Sequence, residues 1–158
     1  MVSFHGSLLA APYLGGSVEA FEKKVRDSFA RQLFMSTIGA EMISVGRGSV
    51  EIRFRFNSKL TQQNGFVHAG PVTSIMDSAC GYAALSVAPE DADVLSVEFK
   101  VNLLAPGMGE SFVARASVKR AGKRLAVCTA DAFAVKAGEE NLIATMLATI
   151  MNIDSKSS

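Results

Sequence analysis

A lone aspartate and the loop before it hold the residue types in this sequence that could do chemistry. Asp77 follows a polar loop with amide side chains that leads through His68 and Gly70 into Pro71. Proline is tolerated in the first turn of a helix, so Pro71 predicts a helix start. The free amides of a helix N-terminus can polarise a carbonyl or hold an anion. A carboxylate two turns further along could act on the group held there.

Two simpler interpretations of these residues remain open. An aspartate on the less apolar side of an amphipathic helix is commonly just solvated. His68 could be a neutral imidazole near a helix start that hydrogen-bonds a carbonyl. A metal-ligand role for His68 is less favoured, because the only other histidine is His5.

The residues after Pro71 follow a helical period. Apolar side chains recur three and four positions apart and form one stripe that should be buried: Val72, Ile75, Met76, Ala79, Cys80, Ala83 and Ala84. At about 100° per residue, Asp77 lies off this stripe, on a face shared with Thr73, Ser74 and Gly81. The pattern therefore predicts a central helix, ending near Ala88, that is buried along one side.

Composition narrows the class of protein. The chain has 158 residues, enough for one domain with its own core. Sixteen basic and fifteen acidic side chains give a formal charge of +1, so no strong field points to nucleic acid. Hydrophobic residues make up 49% of the chain, which favours self-association.

Cysteine usage and hydropathy indicate the compartment. Cys80 and Cys128 lie among small or apolar residues without CxxC or zinc spacing, so we expect buried thiols in a reducing compartment and no metal. No run of 18 apolar residues and no signal-peptide pattern occurs. These features predict a cytoplasmic protein that is not a membrane protein.

The order of predicted elements defines an α+β fold. We predict an irregular arm at 1–16, a single domain over 17–153 and a disordered tail at 154–158. Within the domain, the periods predict a helix at about 18–36, a hairpin at 40–56, the central helix, and strands at 94–104, 110–120, 124–135 and 141–152. An antiparallel sheet of about six strands wrapped round the central helix is the simplest packing. Exposed edges and a final strand apolar on both faces favour pairing with a second copy.

Two blocks of sequence carry a resemblance to a known family. GFVHAGPVTSIMDSACGYAA followed by LSVEFKVNLLAP resembles the PaaI-type branch of the hotdog-fold acyl-CoA thioesterases, over about residues 29–150. The family motif is His-Gly-Gly, whereas this chain has His-Ala-Gly, so Ala69 must have a backbone conformation that an L-residue accepts. The resemblance implies a hotdog fold that assembles as a dimer or a dimer of dimers.

The resemblance also implies roles for residues of the central segment. The Gly70 amide would polarise the thioester carbonyl as an oxyanion-hole donor. Asp77, from the opposite subunit, would act as general base on water or as nucleophile. Gln62 would position the water or the thioester, with Gln63 and Asn64 as alternatives. Ser96 matches a strand position that helps to orient the water, although it could equally lie on the wet face of that strand.

A basic turn further along matches the part of the family that touches coenzyme A. The segment Arg120-Ala121-Gly122-Lys123 has side chains suited to phosphates, although a solvated edge is the simpler interpretation. The resemblance thus implies these sets: Asp77, Gly70, Gln62 and His68 for catalysis; Asn64, Ala69, Ser96, Val97, Arg120, Gly122 and Lys123 for binding substrate and coenzyme A.

The function implied is hydrolysis of an acyl- or aryl-acyl-CoA to the free acid and coenzyme A. No cofactor is expected beyond the coenzyme A of the substrate, and the expected partners are acyl-CoA and further copies of the chain. The alternative is a non-catalytic acyl-CoA-binding hotdog protein. A hydratase is disfavoured because the Asp and His pair it would need is missing. A cysteine nucleophile is disfavoured because neither thiol has an evident basic partner.

Overall fold

The computed structural model describes residues 18–154, with the side chains of residues 18 and 19 excepted. In chain order the helices and strands are α1 (Val18–Ala30), α2 (Leu33–Thr37), β1 (Ala40–Gly46), β2 (Ser49–Arg55), α3 (Ala69–Leu85), β3 (Ala92–Leu103), β4 (Ser111–Ala121), β5 (Leu125–Lys136) and β6 (Glu139–Asp154), with a 3-10 turn at Ser58–Leu60 between β2 and α3. The arm predicted at 1–16 lies outside the described residues, as does the tail predicted at 154–158 except for Asp154, which ends β6. The domain boundaries stay a prediction.

The strands form one antiparallel sheet around α3. The six strands lie in the order β1-β2-β4-β5-β6-β3, and every neighbouring pair is antiparallel. The predicted α+β hotdog arrangement is therefore confirmed. Because β1 and β3 end the order, they are the two edges of the sheet.

The core lies between α3 and the concave face of the sheet. All seven residues of the predicted apolar stripe are at most 2% exposed, so that prediction is confirmed. Opposite them, the rings of Phe54 and Phe112 stack with centroids 5.0 Å apart. Burying one large apolar side chain contributes about 1.5–3 kcal/mol, so this pair, which joins β2 to β4, is a large part of the buried core.

The helix predicted at 18–36 is two helices. α1 ends at Ala30, and α2 begins after Gln32, whose φ of −81° and ψ of 89° are not helical. The Gln32 side chain accepts hydrogen bonds from α3 at this break, from Ser78 Oγ and Tyr82 Oη, both at 3.4 Å. A continuous amphipathic period does not reveal a break at which one polar side chain turns inward.

Both ends of α3 differ from the prediction. The helix begins at Ala69, two residues before Pro71, because the His68 side chain caps it. It ends at Leu85 instead of Ala88, and the Ser86 hydroxyl lies at this end. That hydroxyl donates to the Ala83 carbonyl and accepts from the Gly48 amide of the β1–β2 turn, both at 2.7 Å.

A β-bulge changes the phase of β3. Ser96 pairs with Ile150 and Glu98 pairs with Thr149, which leaves Val97 without a partner on β6. Before the bulge Val94 packs against the core, and after it Val101 does. Val94 and Ser96 share a face that points toward α3, and because of the extra residue this face continues at Val101 beyond the bulge. Of the two interpretations left open for Ser96, the structure combines both: its hydroxyl contacts Asp77 of α3 while the residue remains exposed, and the bulge interrupts the simple alternation of 94–104.

Candidate active site

The first turn of α3 is closed by its own capping residue. The Gly70 N–H donates to Nδ1 of the His68 imidazole at 2.8 Å. The expectation that His68 bonds a carbonyl is therefore not met, because the ring nitrogen accepts from an amide. Ala69 is the first residue of the helix and has no positive φ, so it fits the motif without strain. A group that binds the Gly70 amide must displace the imidazole.

The loop before His68 is organised by Gln62. The Gln62 side-chain oxygen accepts a hydrogen bond from the backbone N–H of Asn64 at 2.6 Å. The backbone N–H of Gln62 donates to the Phe66 carbonyl at 2.8 Å. Gly65 takes a φ of +83° at the tip, a conformation that favours glycine. Gln62 therefore builds the loop, while Asn64 is exposed on its outer side.

A cavity of about 620 Å³, here named the amide cavity, opens beside this loop. The residues that line it are uncharged: Gln62, Gln63, Phe66, Val67, His68, Ala69, Val72, Leu103, Leu104, Ala105, Pro106, Gly107 and Ile143. The His68 imidazole that covers the Gly70 amide is part of its wall. The cavity can therefore bring an uncharged group such as a thioester to the start of α3.

Asp77 lies two turns further along α3 than Gly70 and contacts β3. The Ser96 hydroxyl donates to Asp77 Oδ1 at 2.6 Å. Ser96 lies on the face of β3 that points toward the helix, directly before the bulge. The structure thus brings together two of the predicted site residues. A hydroxyl that donates to one carboxylate oxygen holds the other in a fixed orientation, as a general base or a nucleophile requires.

Asp77 and Ser96 line a second cavity of about 420 Å³, here named the carboxylate chamber. Its other lining residues come from α1, the α1–α2 junction, α3 and β3: Ser28, Gln32, Ser78, Gly81, Tyr82, Asp93, Val94 and Leu95. None of Gln32, Ser78, Tyr82 and Asp93 was predicted from the sequence. The one available signal was Gly81, a glycine inside a helix one turn after the candidate carboxylate.

The amide cavity and the carboxylate chamber share no lining residue. Gly70 and Asp77 are seven residues apart on one helix, which is about 10 Å along its axis. Within one chain, therefore, the candidate oxyanion-hole donor and the candidate base do not face a common space.

The basic turn lies apart from both cavities. Arg120 is near the end of β4, and Gly122 and Lys123 lie in the β4–β5 connection, where the Gly122 amide donates to the Leu125 carbonyl at 2.8 Å. Lys123 borders a surface groove that also contains Asp91 and Asp154. Val97, the bulge residue of β3, is 54% exposed. The predicted coenzyme A contacts are thus exposed and distant from Gly70 of the same chain.

Neither cysteine has the surroundings of a nucleophile. Both thiols are fully buried. Burial is the main cause that raises the pKa of Cys80 far above its ordinary value, and it raises the pKa of Cys128 to about 11. Both groups are therefore neutral thiols at pH 7, in line with the interpretation from sequence.

Two other kinds of site, a metal centre and a membrane-spanning helix, are absent from residues 18–154. No group of three or more His, Cys, Asp or Glu side chains that could hold a metal lies together in this range. Among the helices of the described part of the chain, none has the length and hydropathy needed to cross a membrane.

Known proteins resemble this chain in sequence and in structure. Residues 64–140 match the family model of the thioesterase superfamily. A thioesterase family protein from Silicibacter pomeroyi, known as a crystal structure, is 52% identical, covers 85% of this chain and 98% of its own, and superimposes with a TM-score of 0.83. A provisionally named esterase from Saccharolobus solfataricus is 32% identical over 80% of this chain and 81% of its own length.

A more distant structure supports the fold alone. The Escherichia coli PaaI protein from the phenylacetic acid degradation operon is 17% identical, covers 87% of this chain and 96% of its own, and has a TM-score of 0.77. The resemblance drawn from the two sequence blocks is thereby confirmed. The chain belongs to the thioesterase superfamily, and it is a thioester hydrolase.

Proposed function

We propose that this enzyme hydrolyses an acyl- or aryl-acyl-CoA, at a site formed where two copies of the chain meet. The observation that carries the proposal is the division of chemistry between two separate cavities. The amide cavity offers a helix N-terminus and no charged residue, whereas the carboxylate chamber offers Asp77 held by Ser96. Hydrolysis of a thioester needs both, so a single copy is incomplete.

The edge strand β3 supports a pairing of two copies of the chain that would bring the amide cavity of one next to the carboxylate chamber of the other. Four apolar side chains of β3 are 43–58% exposed: Leu95, Val97, Phe99 and Leu103. A long apolar edge strand is a template for pairing with another chain. The amide cavity lies at the C-terminal end of β3, beside Leu103, and the carboxylate chamber lies at its N-terminal half, beside Ser96. Antiparallel pairing about a two-fold axis sets the end of one β3 against the start of the other. Each amide cavity would then adjoin the partner's carboxylate chamber.

The chemistry of such a composite site follows from its groups. The thioester carbonyl displaces the His68 imidazole and accepts the Gly70 N–H, which stabilises the negative charge that develops on the oxygen. Asp77 of the other copy takes a proton from water while the water oxygen bonds to the carbonyl carbon. The carbon–sulfur bond then breaks, and the thiolate of coenzyme A receives the proton from Asp77. One water is consumed, and a free acid and a thiol are released.

A nucleophilic route differs in one step. Asp77 itself would bond to the carbonyl carbon and release the thiolate, and water would then hydrolyse the resulting anhydride. A single turnover in ¹⁸O-labelled water separates the two routes. The nucleophilic route leaves the label in the Asp77 carboxylate when water attacks there, whereas the general-base route leaves it only in the product acid.

The basic turn fits the coenzyme A end of this substrate. Arg120 and Lys123 carry positive charges on exposed side chains, where the phosphates of coenzyme A could pair with them without burying charge. Because these residues lie at the far end of α3 from Gly70, we assign them to the nucleotide and not to the thioester.

One observation favours the second candidate, a non-catalytic acyl-CoA binder. The Gly70 amide is already occupied by His68, and an imidazole that never left this position would block the oxyanion hole. In that case acyl-CoA would raise the melting temperature without being cleaved.

The test is thiol release from a panel of short, long, branched and aromatic acyl-CoA thioesters by wild type and Asp77→Asn. We expect wild type to turn over part of the panel and Asp77→Asn, which preserves side-chain size, to lose at least about a thousandfold in kcat. Retained turnover in an Asp77→Asn protein that folds and assembles would overturn the role of Asp77. Absence of turnover by wild type on every thioester would favour the binder.

A further inference from the structure

Gly81 occupies a position in α3 where a glycine is costly and packing does not demand one. Glycine inside a helix destabilises it by about 0.5–1 kcal/mol relative to alanine. A Cβ atom built on Gly81 would meet no heavy atom within 4 Å, so no neighbour excludes a side chain. Gly81 lines the carboxylate chamber one turn beyond Asp77. The missing side chain therefore leaves open space directly beside the candidate base.

The wall of the chamber beyond Gly81 is polar. Gln32 Oε1 accepts from Ser78 Oγ and from Tyr82 Oη, both at 3.4 Å. These two hydroxyls occupy the amide oxygen, and the amide nitrogen of Gln32 donates to no other residue in 18–154. Ser78 and Tyr82 are each 8% exposed, and Gln32 is half-buried. The Gln32 amide nitrogen is therefore the group of this cluster that can donate a hydrogen bond to a ligand.

The charge of the chamber limits which ligand groups can bind the Gln32 amide nitrogen. Asp93 and Asp77 both line the chamber, and no basic residue does. A ligand ending in a carboxylate would be repelled by them, whereas a neutral acceptor such as a hydroxyl or carbonyl oxygen would pair with the Gln32 amide. The separation of Gly81 and Asp77 by a single turn, about 5–6 Å, suits a short acyl group.

We propose that the chamber beside Gly81 is the acyl pocket, and that it selects compact acyl groups with an uncharged hydrogen-bond acceptor at the end remote from the thioester. Gly81 sets the size that is admitted, and Gln32, oriented by Ser78 and Tyr82, recognises the acceptor. This inference rests on the proposed function, since it assumes that the thioester reacts at Asp77.

Substitutions at Gly81 test the size limit. Gly81→Ala, Gly81→Val and Gly81→Leu fill the chamber in steps. We expect kcat/KM for the best substrate to fall with each step and by more than about a hundredfold in Gly81→Leu, while acetyl-CoA, the smallest thioester, loses least. Gly81→Ala has the better helix former, so an unchanged or raised melting temperature separates pocket filling from misfolding.

Substitution of Gln32 tests the recognition of the far end. Acyl-CoA thioesters of equal length ending in a methyl, a hydroxyl or a carboxylate are compared. Wild type should prefer the hydroxyl-ended substrate, and Gln32→Leu should reduce that preference about tenfold, the value of one hydrogen bond to a neutral group. Gln63→Leu, which changes a glutamine of the amide cavity, is the matched control and should keep the preference.

The results of these experiments distinguish a failure of the acyl-pocket proposal from a failure of the proposed function. If wild type cleaves no acyl-CoA, the proposed function fails. If wild type cleaves acyl-CoA but Gly81→Leu leaves the order of acyl sizes unchanged, the function stands and the pocket is elsewhere. A hydroxyl preference that survives unchanged in Gln32→Leu, or a wild type that prefers methyl or carboxylate ends, would contradict the role of Gln32.

Discussion

The amide cavity and the carboxylate chamber lie against the same helix but have opposite chemistry. The first is larger, about 620 against 420 Å³, and has uncharged walls; the second contains Asp77, Asp93 and several hydroxyls. A carboxylate placed at the helix N-terminus would bind the amides itself and exclude a carbonyl. The two turns between Gly70 and Asp77 prevent this within one chain. In the proposed mechanism, binding the electrophile and activating the water would thus be kept apart until two copies meet.

After Asp77→Asn, the largest effect is expected from deleting the Gly70 N–H, the candidate donor beside the amide cavity. Gly70→Pro removes the N–H and keeps a helical φ, in a first turn where the amide makes no intrahelical bond. Loss of one oxyanion-hole donor should lower kcat by about 10²–10³. Gly70→Ala, which keeps the N–H, is the control. Its Cβ would lie 3.1 Å from His68 Nδ1, so the imidazole must shift slightly, and we expect a much smaller loss.

In the carboxylate chamber, the corresponding experiment removes the hydroxyl of Ser96. Ser96→Ala removes the 2.6 Å hydrogen bond to Asp77, and since bonds to charged groups contribute about 1.5–3 kcal/mol, kcat should fall by at least about tenfold with little change in KM. Ser96→Thr keeps the hydroxyl and suits a strand, so it should restore most of the rate. Equal losses in both variants would show that the hydroxyl does not position Asp77.

A smaller effect, on stability, is expected from removing the His68 side chain that caps the Gly70 amide. His68→Ala removes the side chain that accepts the Gly70 N–H and should lower the free energy of unfolding by about 1 kcal/mol. His68→Asn supplies another capping oxygen and should recover most of this stability. Urea unfolding of the three proteins measures the difference, and a His68→Ala protein as stable as wild type would contradict the capping role.

The smallest effect concerns the thiol of Cys128, which faces neither cavity. Burial raises its pKa to about 11, so the neutral thiol stabilises the fold below about pH 9, and this contribution is lost as the pH rises toward 11. We expect the urea midpoint to fall between pH 8 and pH 10.5, and to fall less in Cys128→Ala. Identical pH dependence in the two proteins would show that the thiol does not titrate with folding.

Much of the fold was predictable from local patterns. The period of two in β2 and the apolar stripe of α3 each have one dominant buried face, and the structure buries those faces. The hairpin predicted at 40–56 is also present, and its turn contains Gly48, whose φ of +80° favours glycine. Strong periodicity is visible in a single sequence because it needs no knowledge of distant partners.

The features that could not be predicted depend on contacts between residues that are far apart in the chain. The break at Gln32 is paired with Ser78 and Tyr82 on α3, and the Ser96–Asp77 contact depends on how β3 registers with β6. A bulge adds one residue without any signal in composition, so the change of face beyond Ser96 could not be read from alternation. The capping of Gly70 by His68 likewise depends on the side-chain position of one residue, which spacing does not fix.

The most direct test of a site shared by two copies is complementation between two inactive variants. Asp77→Asn and Gly70→Pro are each expected to be inactive, because each damages every site of its own oligomer. When the two are co-expressed and assemble at random, hybrid dimers contain one intact site, and total activity should reach about a quarter of wild type. Hybrid dimers that form but show no activity above the separate variants would contradict the shared site.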